Sequence, residues 1–219
     1  MAASYSMVVP PGFVRVPGGD VAAGAEALLS HLPPDVAQDA SLVMEVRAGL
    51  ANVVAADTAR AVLDAFVVPG SIPGVELACS VVVSLLVVPS AQRADLDEHL
   101  LRLVTSRGAT ACSIGGDPAV VWDDRKLRGD RSTGEYRVVA RRSAVSRLAG
   151  MEDHLMSIVL TVASARLEVD LSEDDRAGEG LIVDAMRALF DSMLASMRWL
   201  DDEGQVLVPT VDSHEGKNT

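Results

Sequence analysis

Apolar positions along the chain change their period several times, and each change marks an element. Phe13 to Val16 is a short extended run closed in by Pro10-Pro11-Gly12 and Pro17-Gly18-Gly19, so it predicts a first strand. Asp20 is a good N-cap for a helix to about Leu32, with Val21, Leu28 and Leu32 apolar and Pro33-Pro34 as its stop. From Ser41 to Phe66 the residues Leu42, Val46, Leu50, Val53, Val54, Ala61, Leu63 and Phe66 mostly follow the three-and-four spacing of a helix, weakened in the middle by Gly49. On that reading Asp57, Arg60 and Asp64 lie on its solvated side. Pro69-Gly70 and Pro73-Gly74 then force a loop.

Val75 to Val88 carries no charge after Glu76 and is dense in valine, with apolar side chains on both faces from Val81 onward. Such a run predicts a strand in the middle of a sheet that is covered on both sides. Ser90 is the expected cap of a helix to about Ser106, with Leu96, Leu100, Leu103 and Val104 as its stripe, Glu98 and Arg102 as an i,i+4 pair, and Arg107-Gly108 as its end. Strands are expected over Ala109 to Ile114, Ala119 to Asp123, Glu135 to Ser143 and Leu155 to Ala163, the first pair joined by a turn at Gly115-Gly116-Asp117-Pro118. An acidic loop, Glu168 to Glu179, leads to a final amphipathic helix from about Gly180 to Leu200. Its apolar face is Ile182, Met186, Leu189, Phe190, Met193, Met197 and Leu200, and Asp184, Arg187, Asp191 and Arg198 lie opposite. A short strand, Gln205 to Val208, can follow. The expected organisation is an N-terminal arm over 1–11, one α+β domain over 12–208 with a mostly antiparallel β-sheet covered by helices (an α/β sandwich), and a disordered tail over 209–219.

Composition narrows the functions that such a fold could serve. Acidic side chains outnumber basic ones 31 to 19, so the chain carries a formal charge of −12. A field of that sign repels phosphate backbones and anionic bilayers, which argues against nucleic-acid and membrane-surface binding. With 49% apolar and only 3% aromatic residues the core must be aliphatic. The 14-residue stretch from Val75 to Val88 is too short to cross a bilayer as a helix, and Met1 to Gly19 lacks the basic and apolar regions of a secretory signal, so a cytoplasmic location is expected. Cys79 and Cys112 have neither CxxC spacing nor a histidine cluster nearby, and both are expected to be buried free thiols.

The chemistry-bearing residues form no recognisable catalytic motif. His31, His99, His154 and His214 are scattered without a second ligand at metal spacing, and His214-Glu215-Gly216 is not the HExxH motif, so neither a metal nor a cofactor is expected. No GxSxG elbow occurs. Ser113-Ile114-Gly115-Gly116 lacks the Lys-Ser/Thr and the following helix of a phosphate loop, and the Glu173-Asp174-Asp175 cluster lacks the alternating spacing of a calcium loop. Arg128-Gly129-Asp130 spells an adhesion tripeptide, a chance occurrence for a chain inside a cell. One stretch departs from the acidic average. Between Asp123 and Arg147 lie Arg125, Lys126, Arg128, Arg131, Arg137, Arg141, Arg142 and Arg147, against the acids Asp123, Asp124, Asp130 and Glu135. Trp122 adjoins it as an amphipathic anchor. Trp122, Arg125, Lys126, Arg128, Arg131, Arg141 and Arg142 are therefore the candidate partner-binding residues for an acidic protein. The blander reading is a solvated sheet edge, with Arg137, Val139 and Arg141 on one face of a strand.

The order of these elements carries a resemblance. A Pro-Gly-aromatic start, Pro11-Gly12-Phe13-Val14-Arg15-Val16-Pro17, precedes helices, a valine-rich strand, a helix and a run of antiparallel strands. A final helix runs from Leu189-Phe190-Asp191-Ser192-Met193 to Met197-Arg198-Trp199. Over residues 10 to 200 this resembles a group of actinobacterial proteins that are similar to the Mog1/PsbP-like α/β sandwich. An arginine count of 17 against 2 lysines agrees with a GC-rich source. The resemblance implies a layered sheet covered by helices and a non-enzymatic accessory role in assembly, transport or secretion. Two other readings remain open. One is an enzyme whose acid or base comes from Asp123, Asp124, Glu152 or His154, and the other is a structural subunit that associates with its own copies.

Overall fold

The computed structural model describes residues 4–32, 34, 38, 40–41, 43–44, 60–69, 77–88, 95–124, 132–133, 136–148, 150–164 and 172–207. Its elements in chain order are β1 (Ser4–Ser6), β2 (Val14–Pro17), α1 (Val21–Leu29), β3 (Arg60–Val67), β4 (Leu77–Val87), α2 (Leu96–Arg107), β5 (Thr110–Ile114), β6 (Asp117–Asp123), β7 (Ser132–Thr133), β8 (Tyr136–Leu148), β9 (Met151–Ser164), α3 (Glu173–Ser196) and β10 (Arg198–Leu200). Every strand pair is antiparallel. The main sheet runs β2-β3-β4-β9-β8-β6-β5, with β7 on β8, while β1 and β10 form a separate ribbon. This is the α+β sheet-and-helix sandwich that the sequence predicts.

β4 takes the interior position expected of it. Its register with β9 is unbroken from Leu77 opposite Ser164 to Val87 opposite His154. Leu77, Cys79, Val81 and Val83 project into the main core with Ile158, Leu160 and Val162 of β9. That core is closed by α3 through Val183, Phe190, Met193 and Leu194. The other face is covered unevenly. α2 packs Leu96 and Leu100 on Val120, Val145 and Leu155 at one end, and α1 lies against β2 at the other. Val82, midway between them, is half-buried.

Several local expectations are corrected. Residues 60 to 66 are not the end of a helix but most of β3, which pairs with β2 and β4. A bulge between Val62 and Asp64 inserts one residue, so Leu63 and Phe66 sit three apart on the core side and imitate a helical period. Most of the expected helix between 42 and 59 lies outside the described residues. Asp64, expected on a solvated side, is 3% exposed, because its carboxylate accepts hydrogen bonds from the Tyr5 hydroxyl at 2.6 Å and from Arg15 Nε at 2.7 Å. The expected arm thus contains β1, which pairs with β10 and delivers Tyr5 to the sheet.

α2 is capped by Asp95, whose Oδ1 accepts from the Glu98 amide at 2.7 Å, and not by Ser90, which lies outside the described residues. Its left-handed Gly108 end and its Glu98–Arg102 pair, at 3.2 Å, are as expected. The acidic segment from Glu173 to Glu179 is helix, not loop. Ser172 and Asp175 form a capping box, and Glu173, Asp174 and Asp175 place negative charge at the positive end of α3. At the other end Met197 turns extended and residues 198–200 become β10. The change of period lets Trp199 bury itself, 1% exposed, over the β5–β6 turn. Gly115 and Gly116 of that turn have φ of +62° and +95°, as a two-residue hairpin turn needs. A Cβ on Gly115 would lie 2.5 Å from Trp199 Nε1. Asp117, expected in the turn, already pairs with Ile114. Cys79 is buried, whereas Cys112 is exposed because β5 is an edge strand. Of the possible strand after residue 204, only the bridge from Leu200 to Val206 forms among the described residues.

Candidate functional site

The arginine-rich stretch crosses three strands of the sheet, and the pleat decides what each side chain can do. Alternation along β6 sends Val121 to the α3 side, Trp122 to the α2 side, and Asp123 back to the α3 side. On β8, Arg142 stands opposite Asp123 and Ser143 opposite Trp122. Trp122 and Arg142 therefore lie on opposite faces of the sheet. Arg141 shares the face of Trp122, and because it is two residues from Ser143 it is the diagonal neighbour of the indole.

On the α3 face the charges are already paired. Arg142 donates to Asp123 Oδ2 at 2.7 Å and, through Nε and a terminal nitrogen, to the two oxygens of Asp191 at 2.9 and 3.1 Å. Arg187 Nε lies 3.2 Å from the other Asp123 oxygen, and its terminal nitrogen donates to Asp184 at 3.0 Å. With only 17% of its side chain exposed, Arg142 is a clamp between sheet and helix, not a docking residue. Removing it would leave Asp123 and Asp191 facing each other. The nearby Cys112 thiol is held above its ordinary pKa by partial desolvation and then by Asp191, while Arg142 pulls it down.

The α2 face differs. Trp122 packs at the margin of the cluster formed by Val88, Leu96, Leu100, Val120, Val145 and Leu155. Its Nε1 is buried without a hydrogen-bond acceptor among the described residues, and so is Nε of Arg141. The row through Arg141 continues across the sheet to Thr161 and Ser80, and the row through Trp122 continues to Ser143, Val159 and Val82. The site is a shelf of small residues with two donors at one end.

Of the candidate partner-binding residues, Arg125, Lys126, Arg128 and Arg131 lie outside the described residues. Arg142 is withdrawn from the set, and Trp122 and Arg141 remain together. A bulge between Val138 and Ala140 breaks the alternation of β8, and Val139 packs toward the main core, on the face opposite Arg141. The sequence did not reveal Asp191 as a partner of Arg142 or Arg187 as a second partner of Asp123, because helix and sheet meet only in the fold.

The dispersed acid/base set is not assembled. Asp123 is in register with Arg142 and through it with Leu160. His154 lies six residues further along β9, roughly 20 Å away at the rise of a strand. There its Nδ1 lies at hydrogen-bond distance, 2.6 Å, from Asp153 Oδ1. Among the described residues no group of three His, Cys, Asp or Glu side chains could hold a metal ion. None of the described helices is long and apolar enough to cross a membrane.

An antiparallel sheet with its main core under one long helix and smaller helices on the other face defines the class. Comparison with known proteins adds little to it. No protein-family profile matches the chain. No curated protein matches its sequence. Among solved structures it is similar to the crystal structure of LpqN, involved in cell envelope biogenesis of Mycobacterium tuberculosis. That similarity has 9% identity and a TM-score of 0.39, over 89% of this chain and 82% of that one. At that level nothing about function passes from one protein to the other.

Proposed function

We propose that this chain is a non-enzymatic binding or accessory module that docks an acidic protein segment on the sheet face around Trp122 and Arg141. The observation that carries this reading is the pair of unpaired donors, Trp122 Nε1 and Arg141 Nε, on neighbouring positions of one face. A buried donor without an acceptor costs about 1–3 kcal/mol, and both side chains are half-buried, so a partner carboxylate meets the exposed part of the Arg141 guanidinium in a charge-assisted hydrogen bond beside the indole. An aromatic ring beside a guanidinium is also the composition of a binding hot spot. The stretch 125–131, basic in sequence, is joined directly to β6 and adds to the attraction for an acidic surface. The module belongs in this reading to the cytoplasm and to the Mog1/PsbP-like group, in an assembly, transport or secretion role.

The test compares wild type with a Trp122→Phe, Arg141→Gln double variant in parallel pull-downs from the host, at low and at moderate salt. The expected result is a partner that the wild type retains and the variant loses, with capture by the wild type weakening as salt rises. Recovery of the same partners by both proteins at the same salt overturns the reading.

A further inference from the structure

The second feature lies at the other side of β6, on the free edge of the sheet. Among the described residues β5 is paired on one side only, with β6. Thr110, Ala111, Cys112 and Ser113 are all exposed, and no described element covers the strand. The two-residue turn at Gly115-Gly116 makes Ile114 and Asp117 the hydrogen-bonded pair that closes the hairpin. Alternation then turns the backbone groups of Ile114, Cys112 and Thr110 toward β6 and those of Ala111 and Ser113 outward. Pro118, which has no N–H, fits this phase, since it stands opposite Ser113 at a position that needs no donor.

We infer that β5 pairs with β5 of a second copy of this chain, antiparallel and about a two-fold axis at Cys112. This register uses every outward group. Ala111 faces Ser113 of the second copy in a hydrogen-bonded pair, the symmetric pair repeats it, and the two Cys112 residues meet between them as a non-hydrogen-bonded pair. Centring the axis on Ala111 or on Ser113 instead runs the outer pairs past the strand or into the glycine turn. Two-fold symmetry requires such a self-complementary patch, and the outward groups of β5 form one.

Three further observations favour a second copy as the occupant. First, β5 has no charge, no proline and no bulge, the devices that keep edge strands apart, while the opposite edge, β2, ends in Pro17 and carries Arg15. Second, two copies of a −12 chain repel over most of their surface, and the charge is reduced along this edge. β5 contributes no formal charge, and beside it Asp123 and Asp191 are matched by Arg142 and Arg187. Third, a two-fold axis perpendicular to the sheet keeps each helical layer on its own side, so the two sheets continue as one. A contact made by one short strand buries less than the roughly 1,200 Å² of stable complexes, so the pairing is reversible.

The register is read by cross-linking. Opposed residues of a non-hydrogen-bonded pair have Cα atoms about 4.5 Å apart, within the span of a disulfide. With added diamide, two Cys112 thiols lose two protons and two electrons to the reagent and form a disulfide. The expected result is a covalent dimer whose rate of formation rises with protein concentration and which Cys112→Ser abolishes. In sedimentation equilibrium Cys112→Ser still associates above 23.0 kDa at high concentration. Ser113→Lys and, separately, Ala111→Lys place a charge on the edge at exposed positions. Each is expected to slow cross-linking at least tenfold, with the reactivity of Cys112 toward a small disulfide reagent and the circular dichroism unchanged. Cross-linking of both lysine variants at the wild-type rate, or a mass that stays at 23.0 kDa at the highest concentration reached, overturns the inference.

Discussion

A buried thiol and a buried carboxylate show how single positions depend on their surroundings. Cys79 points into the main core, and burial pushes its thiol up to about 11 from 9.0. The native state therefore holds this proton when the unfolded chain has already lost it. The stability tied to the neutral thiol is complete below pH 9 and drains away as pH rises toward 11, by about 2–3 kcal/mol at the upper end. Urea midpoints measured from pH 8 to 11 should fall more steeply for the wild type than for Cys79→Ala. Equal slopes would show that the thiol ionises without unfolding. The sequence identifies Cys79 as a buried thiol from its place in an apolar strand. It could not do the same for Cys112, because an edge strand looks like an interior one until its neighbours are known.

Elements end where local chemistry ends them, and α3 is the clearest case. Its N-terminal box joins Asp175 N to Ser172 Oγ at 3.1 Å and Ser172 N to Asp175 Oδ2 at 3.2 Å. Ser172→Ala removes the first bond and should cost about 1 kcal/mol of local stability. Hydrogen exchange at the Asp175 amide is the direct measure, with an acceleration of about fivefold expected and with Ser172→Asp restoring protection. This box was present in the sequence as Ser172-x-x-Asp175, but the acids around it look equally like a solvated loop. Only the core residues of α3 that follow show why the helix starts this early. β3 fails in the opposite sense. Its bulge at Leu63 imposes a three-residue step on a strand, and the pairing with β2 and β4 overrides the helical appearance.

On the scale of the molecule, the chain returns to its own middle. β9 is the last strand of the main sheet in sequence, yet it lies between β4 and β8. Residues 4–6 are likewise joined to 198–200. Asp64 connects these distant parts by holding Tyr5 and Arg15 at once, and burial of the Tyr5 hydroxyl, followed by its hydrogen bond to Asp64, raises its pKa above the ordinary range. Arg15 is two-thirds exposed, so part of its attraction for Asp64 is screened by water. Allowing for that, Asp64→Asn should cost about 2 kcal/mol. A lowered urea midpoint and faster tryptic cleavage after Arg15 are expected together. An unchanged midpoint with normal cleavage would mean that the N-terminal strand is held by β10 alone.

The sequence by itself determined the elements whose signals are local and unbroken. These are the Asp20 cap, the Gly108 end of α2, the glycine turn, the valine-rich interior strand and the apolar face of the last helix. It also determined the acidic average and the one arginine-rich departure from it. Only the tertiary structure decided which charges of its described part are paired. Trp122 and Arg142 both belong to the candidate set and lie on neighbouring strands, but the pleat sends them to opposite faces. There Arg142 meets Asp191 from a helix 49 residues away, while Nε of Arg141 has no acceptor among the described residues. Charge and propensity are properties of residues and can be read along a line. Pairing and exposure belong to contacts between distant parts of the chain, and they exist only once β9 has closed the sheet.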